Sequence, residues 1–292
     1  MKQVIKIKTP GSCGELIQGF YGRQEMLISY PIDLYSEVTF NKNATEITPL
    51  GRKVQQAIAL FFQREMVDAS LFSKYMVSVE NNIPVGKGMA SSTADISGVL
   101  HGLYHLYDIP VTDEKIAELC CAIEPTDSTI FRRITLFDHI NGVRIEEFDW
   151  LLSFDVLVLE PEYQINTTDF RQAKKEQLML KNHHSDALDI FQKAMQERSL
   201  KKMCQATYIS AKENQDILEK PYLETIREVA DRHGCYGVNV AHSGSIVAIL
   251  FDKTVVDVDL LKKQLENENC LTYYKKQYMT KVIQGGSQIL EE

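Results

Sequence analysis

One stretch of this chain combines glycines and hydroxyls at a spacing that suits phosphate. It reads Pro84-Val85-Gly86-Lys87-Gly88-Met89-Ala90-Ser91-Ser92-Thr93-Ala94-Asp95. Gly86 and Gly88 permit positive φ and let a ligand approach the backbone closely. Ser91, Ser92 and Thr93 then open a predicted helix. They set hydroxyls and free N–H groups at the end where the helix dipole favours an anion. This is not a Walker A loop, because no G-x-x-x-x-G-K-[ST] can be laid over it. It is not a complete G-x-G-x-x-G either, because Ser91 stands where the third glycine would be. On the generic pattern alone, a strand-to-helix turn with a serine cap is the simpler reading.

The acidic candidates follow in Ile123-Glu124-Pro125-Thr126-Asp127-Ser128. Magnesium prefers carboxylate, hydroxyl, water and phosphate oxygens, usually with only one or two protein ligands. If a nucleotide lies on Gly86 to Ser92, Ser92 is the candidate hydroxyl for such an ion and Glu124 the candidate carboxylate, with Glu118 as the fallback. Glu124 is predicted to end a helix, where an acid opposes the macrodipole unless a cation or partner compensates. The bland alternative is a solvated surface Glu. Asp127 follows the rigid Pro125, and its bland alternative is an Asx-turn or helix-capping role ahead of Ser128 and Thr129.

The elements that must carry these residues are legible in outline. Val4 to Lys8 alternates as a strand until Pro10-Gly11 breaks it, and Leu27–Tyr30 and Glu37–Phe40 are β-rich. Helices are predicted over Arg52–Met66, Ser91–Tyr107 and Asp113–Glu124, the last capped by Thr112. Strands are expected at Tyr75–Glu80, Phe154–Leu159, Gly237–Val240 and Ile246–Leu250. Helix is expected over much of 166–218, over Tyr222–His233 and over Val255–Asn267. Mixed β-rich, βα and helical blocks favour an α+β fold of two lobes over a doubly wound sheet, divided softly near residue 150 into 1–150 and 151–292.

Composition bounds the rest. The chain has 292 residues, 44% hydrophobic and 25% charged, which is the balance of a globular protein with a sizeable core. A net charge of −8 argues against a general nucleic-acid binder, whose affinity comes from basic residues on phosphates. The start lacks the apolar core of a signal peptide and no window has the length of a membrane span, so a cytoplasmic location is expected. The six cysteines include no C-x-x-C pair and read as reduced thiols.

The full string from Pro84 to Ala94 resembles the phosphate-binding motif of the GHMP kinase superfamily (galacto-, homoserine, mevalonate and phosphomevalonate kinases), roughly P-x-G-x-G-[LM]-[GA]-S-S-[AST]-[AS]. Two more segments match in order. Thr9-Pro10-Gly11-Ser12-Cys13-Gly14-Glu15-Leu16-Ile17-Gln18-Gly19 resembles the first motif of that superfamily. Ala241-His242-Ser243-Gly244-Ser245-Ile246-Val247 resembles its third. Pro-Gly-Ser-Cys-Gly-Glu-Leu, Lys87-Gly88-Met89-Ala90 and Ile123-to-Ser128 are similar to the L-threonine kinase branch associated with cobalamin synthesis and propanediol utilisation.

The resemblance implies a two-lobed kinase that uses ATP and Mg2+ to phosphorylate a small-molecule hydroxyl, with L-threonine as acceptor and O-phospho-L-threonine as product. Pro84 to Thr93 would hold the nucleotide, Ser92 and Glu124 the metal, and Asp127 would act as base, with Asp138 as its competitor. Ser12, Cys13, Gly14 and Glu15 would line the acceptor pocket, and His242, Ser243, Gly244 and Ser245 would close over the phosphate loop. Ser12 stands where galacto- and mevalonate kinases carry Arg or Lys. Lys87 or another residue would have to supply that charge, or the hydroxyl would lose its proton directly to phosphate. Two other readings stay open: a GHMP kinase with homoserine or another alcohol as acceptor, and a non-catalytic nucleotide- or metabolite-binding regulator.

Overall fold

Ile5 and Ile7 alternate with Lys6 and Lys8, and Val38 and Phe40 alternate with Glu37 and Thr39; the four apolar side chains are fully buried. This period of two lays an apolar face along two long paired strands, β1 (Val4–Tyr21) and β2 (Gln24–Asn41). The computed structural model describes residues 3–22, 24–44, 48–163 and 186–291, and in it this pair is the axis of a ten-stranded sheet.

On the N-terminal side, β2 pairs with β3 (Met76–Asn81) and with β4 (Thr135–Asp138), which forms a hairpin with β5 (Val143–Glu147). The sheet continues from β1 through β7 (Gly237–Val240), β8 (Val247–Phe251) and β6 (Asp155–Glu160) to β9 (Lys276–Lys281). β10 (Gln288–Glu291) returns to pair with Ile5–Lys8. Every strand pair described is antiparallel. The join between β1 and β7 is a single residue pair, Glu15 with Val240.

Helices α1 (Arg52–Glu65), α2 (Ser91–Leu106) and α3 (Asp113–Cys121) bury Phe61, Val99, Leu103 and Ile116 against Ile5 and Phe40. On the C-terminal side, α6 (Leu223–Arg232) and α7 (Val258–Asn267) cover β6, β7 and β8 through Ile226, Leu261 and Ile249. A third core joins the two sides: Cys13, Ile17 and Tyr30 of the β1–β2 hairpin pack with Phe191 of α4 (Asp186–Glu197), Met203 of α5 (Leu200–Asn214) and Ala248. A short helix, α8 (Cys270–Tyr273), precedes β9. The α+β class is as expected. Among the described residues no helix is long and apolar enough to cross a membrane.

Three local expectations are corrected. Pro10-Gly11 does not end the first strand; β1 runs on to Tyr21, and the register shifts between Pro10 and Ser12, Ser12 and Glu15, and Glu15 and Ile17. Such bulges bend a strand and re-aim its side chains without ending it. Helix α3 stops at Cys121 rather than Glu124. Pro125 disfavours helical backbone at the residue before it, so Ile123 and Glu124 close the end as turns onto the Cys120 carbonyl. The expected helical stretch over 166–218 is two helices in its described part, interrupted at Arg198, whose φ is 53°, with Ser199 capping α5 through the Lys202 N–H. Residues 166–185 of that expectation lie outside the described residues.

Candidate active site

The three loops singled out in the sequence meet in space. Ser12 N–H donates to the Met89 carbonyl at 3.0 Å, and Ser245 N–H donates to the Lys87 carbonyl at 3.1 Å. The contact between the second and third loops needs glycine at both positions. A Cβ on Gly244 would lie 2.1 Å from the Lys87 carbonyl oxygen, and one on Gly88 would lie 2.5 Å from Ala241 Cβ. Gly88 also has φ +77°, the left-handed region that side chains resist.

The loop between β3 and α2 delivers its ends in a distinctive way. Ala90, at φ 58°, precedes α2, and no side chain caps the helix. The serine-cap reading is therefore corrected. Ser91 Oγ instead accepts from Asn81 Nδ2 at 3.1 Å, and Ser92 is the second helical residue, half-buried. The first N–H groups of α2 thus lack a side-chain acceptor, which is the arrangement that receives an anion. Around this end, Asp95 accepts from Ser36 Oγ and Asn81 Nδ2, both at 2.6 Å. Pro84 and Gly86 are half-buried, Val85 is exposed, and Met89 is buried.

Glu124 sits in the turn after α3, close enough for its charge to act on Asp95 of α2. One carboxylate oxygen pairs with Lys53 of α1, while Oε1 is buried with no partner among the described residues. A buried carboxylate oxygen without a donor is a vacancy for a cation or an N–H. Glu118, the fallback, is half-exposed and pairs with Lys115 on its own helix. Among the described residues no three His, Cys, Asp or Glu side chains converge as a metal cage. One carboxylate with a hydroxyl such as Ser92 is the sparse protein share that magnesium takes alongside phosphate and water.

Asp127 is buried beside Thr93. Its N–H donates to Thr93 Oγ1 at 3.2 Å. Oδ1 accepts from Thr129 N–H at 3.2 Å, and Oδ2 accepts from Ser12 Oγ at 3.0 Å. It therefore caps the short 3-10 turn Ser128–Ile130 and also presents an oxygen to the first loop. Burial, reinforced by the charge of Glu15, pushes its carboxyl up to about 7. Asp138 is different: Oδ1 accepts from Ile140 N–H and Asn141 N–H, and Oδ2 from Asn141 Nδ2 and Gln24 Nε2. Both oxygens are taken up in the β4–β5 turn, so Asp138 serves the hairpin.

Glu15 and His242 form a buried pair. His242 N–H donates to Glu15 Oε2 at 2.8 Å, and His242 Nδ1 lies 3.3 Å from the same oxygen. His242 Nε2 is 3.0 Å from Ser210 Oγ, and Asn214 Nδ2 donates to the His242 carbonyl. Ser243 is half-buried, and Ser245 Oγ is buried with no partner among the described residues. Cys13 is buried, and desolvation pushes its thiol up to about 12, so it is no nucleophile at neutral pH.

The Lys87 side chain goes elsewhere. It is 3% exposed and donates to the Pro161 and Tyr163 carbonyls, 3.5 Å from Glu160 Oε1. The expectation that Lys87 supplies the cation missing at Ser12 is corrected: its ammonium is spent at the end of β6.

Several residues were missed by reading the sequence. Asn239 Nδ2 donates to the Cys13 carbonyl at 2.6 Å, and Tyr30 OH donates to Asn239 Oδ1 at 2.8 Å, which holds the bulged loop in place. An Asn inside the apolar strand Gly237-Val238-Asn239-Val240 was the available signal. Lys220 is fully buried, donates to the Leu218 carbonyl at 3.0 Å, and is drawn down to about 7 by desolvation that the nearby Glu15 partly offsets. Nothing local in the sequence marks it.

The chain is similar to known proteins over nearly its whole length. Residues 52–131 match the model of the GHMP kinases N terminal domain, and 191–268 that of the GHMP kinases C terminal domain. The L-threonine kinase of Salmonella typhimurium is 33% identical over 287 residues, covering 97% of this chain and 95% of its own. The chain belongs to the GHMP kinase family. It is a small-molecule kinase, and ATP is the phosphate donor of its family. The L-threonine kinase of Citrobacter freundii is also 33% identical, over 96% of this chain and 98% of its own. The galactokinase of Lactococcus lactis, solved with galactose, shares the fold at TM-score 0.72 and 14% identity, covering 98% of this kinase and 95% of its own chain.

Proposed function

We propose that this kinase transfers the γ-phosphoryl group of ATP to the side-chain hydroxyl of L-threonine, giving O-phospho-L-threonine. The observation that carries the acceptor is the 33% identity to two L-threonine kinases over nearly the whole chain, against 23% to the homoserine kinase of Methanococcus vannielii. On this reading the enzyme is cytoplasmic, and its product feeds the aminopropanol linker of cobalamin.

The residues divide the work as follows. The backbone of Gly86 to Ala90 and the first N–H groups of α2 hold the phosphates, with Pro84 and Val85 at the entry. Ser92 Oγ and Glu124 Oε1 fit a magnesium ion, which when bound neutralises charge on the phosphates. Ser12 positions Asp127, whose Oδ1 is occupied by Thr129 N–H; Oδ2 is the atom that receives the proton of the acceptor hydroxyl. Glu15 suits the ammonium of an amino acid, and Ser243 and Ser245 offer hydroxyls above the phosphate loop. Since the reaction needs positioning and charge stabilisation more than covalent help, no nucleophile is required.

The test is ATP consumption by purified protein with Mg2+ over L-threonine, L-serine, L-homoserine, galactose and mevalonate. Turnover is expected with L-threonine and weakly with L-serine. Turnover with homoserine alone would move the enzyme to the other acceptor, and none with any of them would end the kinase reading.

A further inference from the structure

Lys87 lies in the middle of the phosphate loop, flanked by two glycines at positive φ, yet it does not face that loop's mouth. Its ammonium donates to two carbonyls in the C-terminal half, Pro161 O at 2.6 Å and Tyr163 O at 2.5 Å, and pairs as an ion with Glu160 Oε1 at 3.5 Å. Glu160 is itself buried, and its Oε1 also lies 3.4 Å from Lys276 Nζ on β9. The neighbouring residues repeat the pattern. The Lys87 carbonyl receives Ser245 N–H from the third loop, and Met89 Sδ receives the Tyr278 hydroxyl of β9 at 3.3 Å. Turning this buried ammonium towards a phosphate oxygen would break both carbonyl hydrogen bonds and leave Glu160 beside one lysine.

We infer that Lys87 is a positioning residue: a latch that sets the phosphate loop by anchoring it to Glu160 and the end of β6, so that ATP affinity depends on the C-terminal half without any contact from this lysine. The inference rests on the kinase reading, since it concerns how that loop is held for ATP. Glu160, which lies in neither the phosphate nor the acceptor loops, becomes a determinant of nucleotide binding. A loop that must be fixed before it can present its N–H groups binds more weakly by the fraction of time it spends elsewhere.

The experiment is calorimetric titration of a non-hydrolysable ATP analogue with Mg2+ into wild type, Lys87→Met, Glu160→Gln and the double variant, with steady-state kinetics alongside. Both single variants are expected to weaken the analogue about tenfold, and the double variant no more than the weaker single. In kinetics, kcat/KM for ATP should fall more than kcat, a split that general destabilisation would not produce. Wild-type affinity in Glu160→Gln, or in Lys87→Met, overturns the latch, as do additive losses in the double variant. If Lys87→Met fails to fold, Glu160→Gln decides alone. If wild type itself does not bind the analogue, the kinase reading fails instead, which keeps the two outcomes apart.

Discussion

At the scale of single residues, Asp127 makes the sharpest demands. In the proposed role as base, a carboxyl held near 7 is half-ionised at neutral pH, so kcat/KM for the acceptor should climb through about pH 7 and level off above it. Asp127→Asn should lower kcat by at least about 100-fold with little change in the KM for ATP. A variant near wild type would remove Asp127 from proton transfer. The same raised pKa has a stability consequence of opposite sign. Between the unfolded value of 3.8 and about 7 the folded state binds the extra proton, so this group makes the fold less stable as pH rises through that window. Asp127→Asn is therefore expected to raise Tm at pH 8 and to give much less gain at pH 5, where the acid is already protonated in the folded state. Glu124 makes a different prediction. Exchanging the Glu124 carboxylate for a neutral amide should raise the Mg2+ concentration needed for half-maximal rate in Glu124→Gln, by roughly tenfold or more. An unchanged Mg2+ dependence would reassign the metal.

At the scale of elements, the loops matter through how closely they approach. Gly244→Ala places a methyl 2.1 Å from the Lys87 carbonyl oxygen. Backbone cannot yield as a flexible side chain can, so the third loop must lift from the second. We expect Gly244→Ala to lower stability by about 1–3 kcal/mol by denaturant unfolding and to weaken ATP far more than a surface substitution would. The bulged middle of β1 is the other device. Three register shifts within Pro10–Ile17 turn Ser12 towards Asp127 and Glu15 towards His242, while the flanking alternation stays in the core. A regular strand could not serve both neighbours, because successive side chains point to opposite faces.

At the scale of the whole molecule, the site lies where the two halves share both a sheet and a core. The ladder between β1 and β7 is the one pair Glu15 with Val240, supported by Asn239 Nδ2 on the Cys13 carbonyl, beside the three loops. Beneath them, Cys13, Ile17 and Tyr30 pack with Phe191, Met203 and Ala248. Phe191→Ala should destabilise the full chain by about 3–5 kcal/mol. Residues 1–150 expressed alone should show no cooperative unfolding transition, since the site-proximal half of the β1–β2 hairpin would lose its cover. A sharp transition from that fragment would mean that the shared core is dispensable.

The sequence by itself determined the local chemistry: the glycine and hydroxyl spacing of the second loop, the order of the three loops, the α+β class, and the capping chemistry of Asp127 ahead of Ser128 and Thr129. These follow from short-range rules, since φ preferences, capping and periodicity are set within a few residues. Only the tertiary structure decided which way long side chains point and how far a carboxyl is buried. Lys87 reads as a cation for phosphate, yet folds back onto Pro161, Tyr163 and Glu160, which lie more than 70 residues away. Asp138 and Asp127 look interchangeable in sequence, yet one has both oxygens taken by a hairpin turn and the other faces Ser12. Lys220 and Asn239 come to the site only because the C-terminal half is packed against the bulge of β1. Hydrogen-bond partners and desolvation depend on contacts between segments distant in the chain, and no local pattern encodes them.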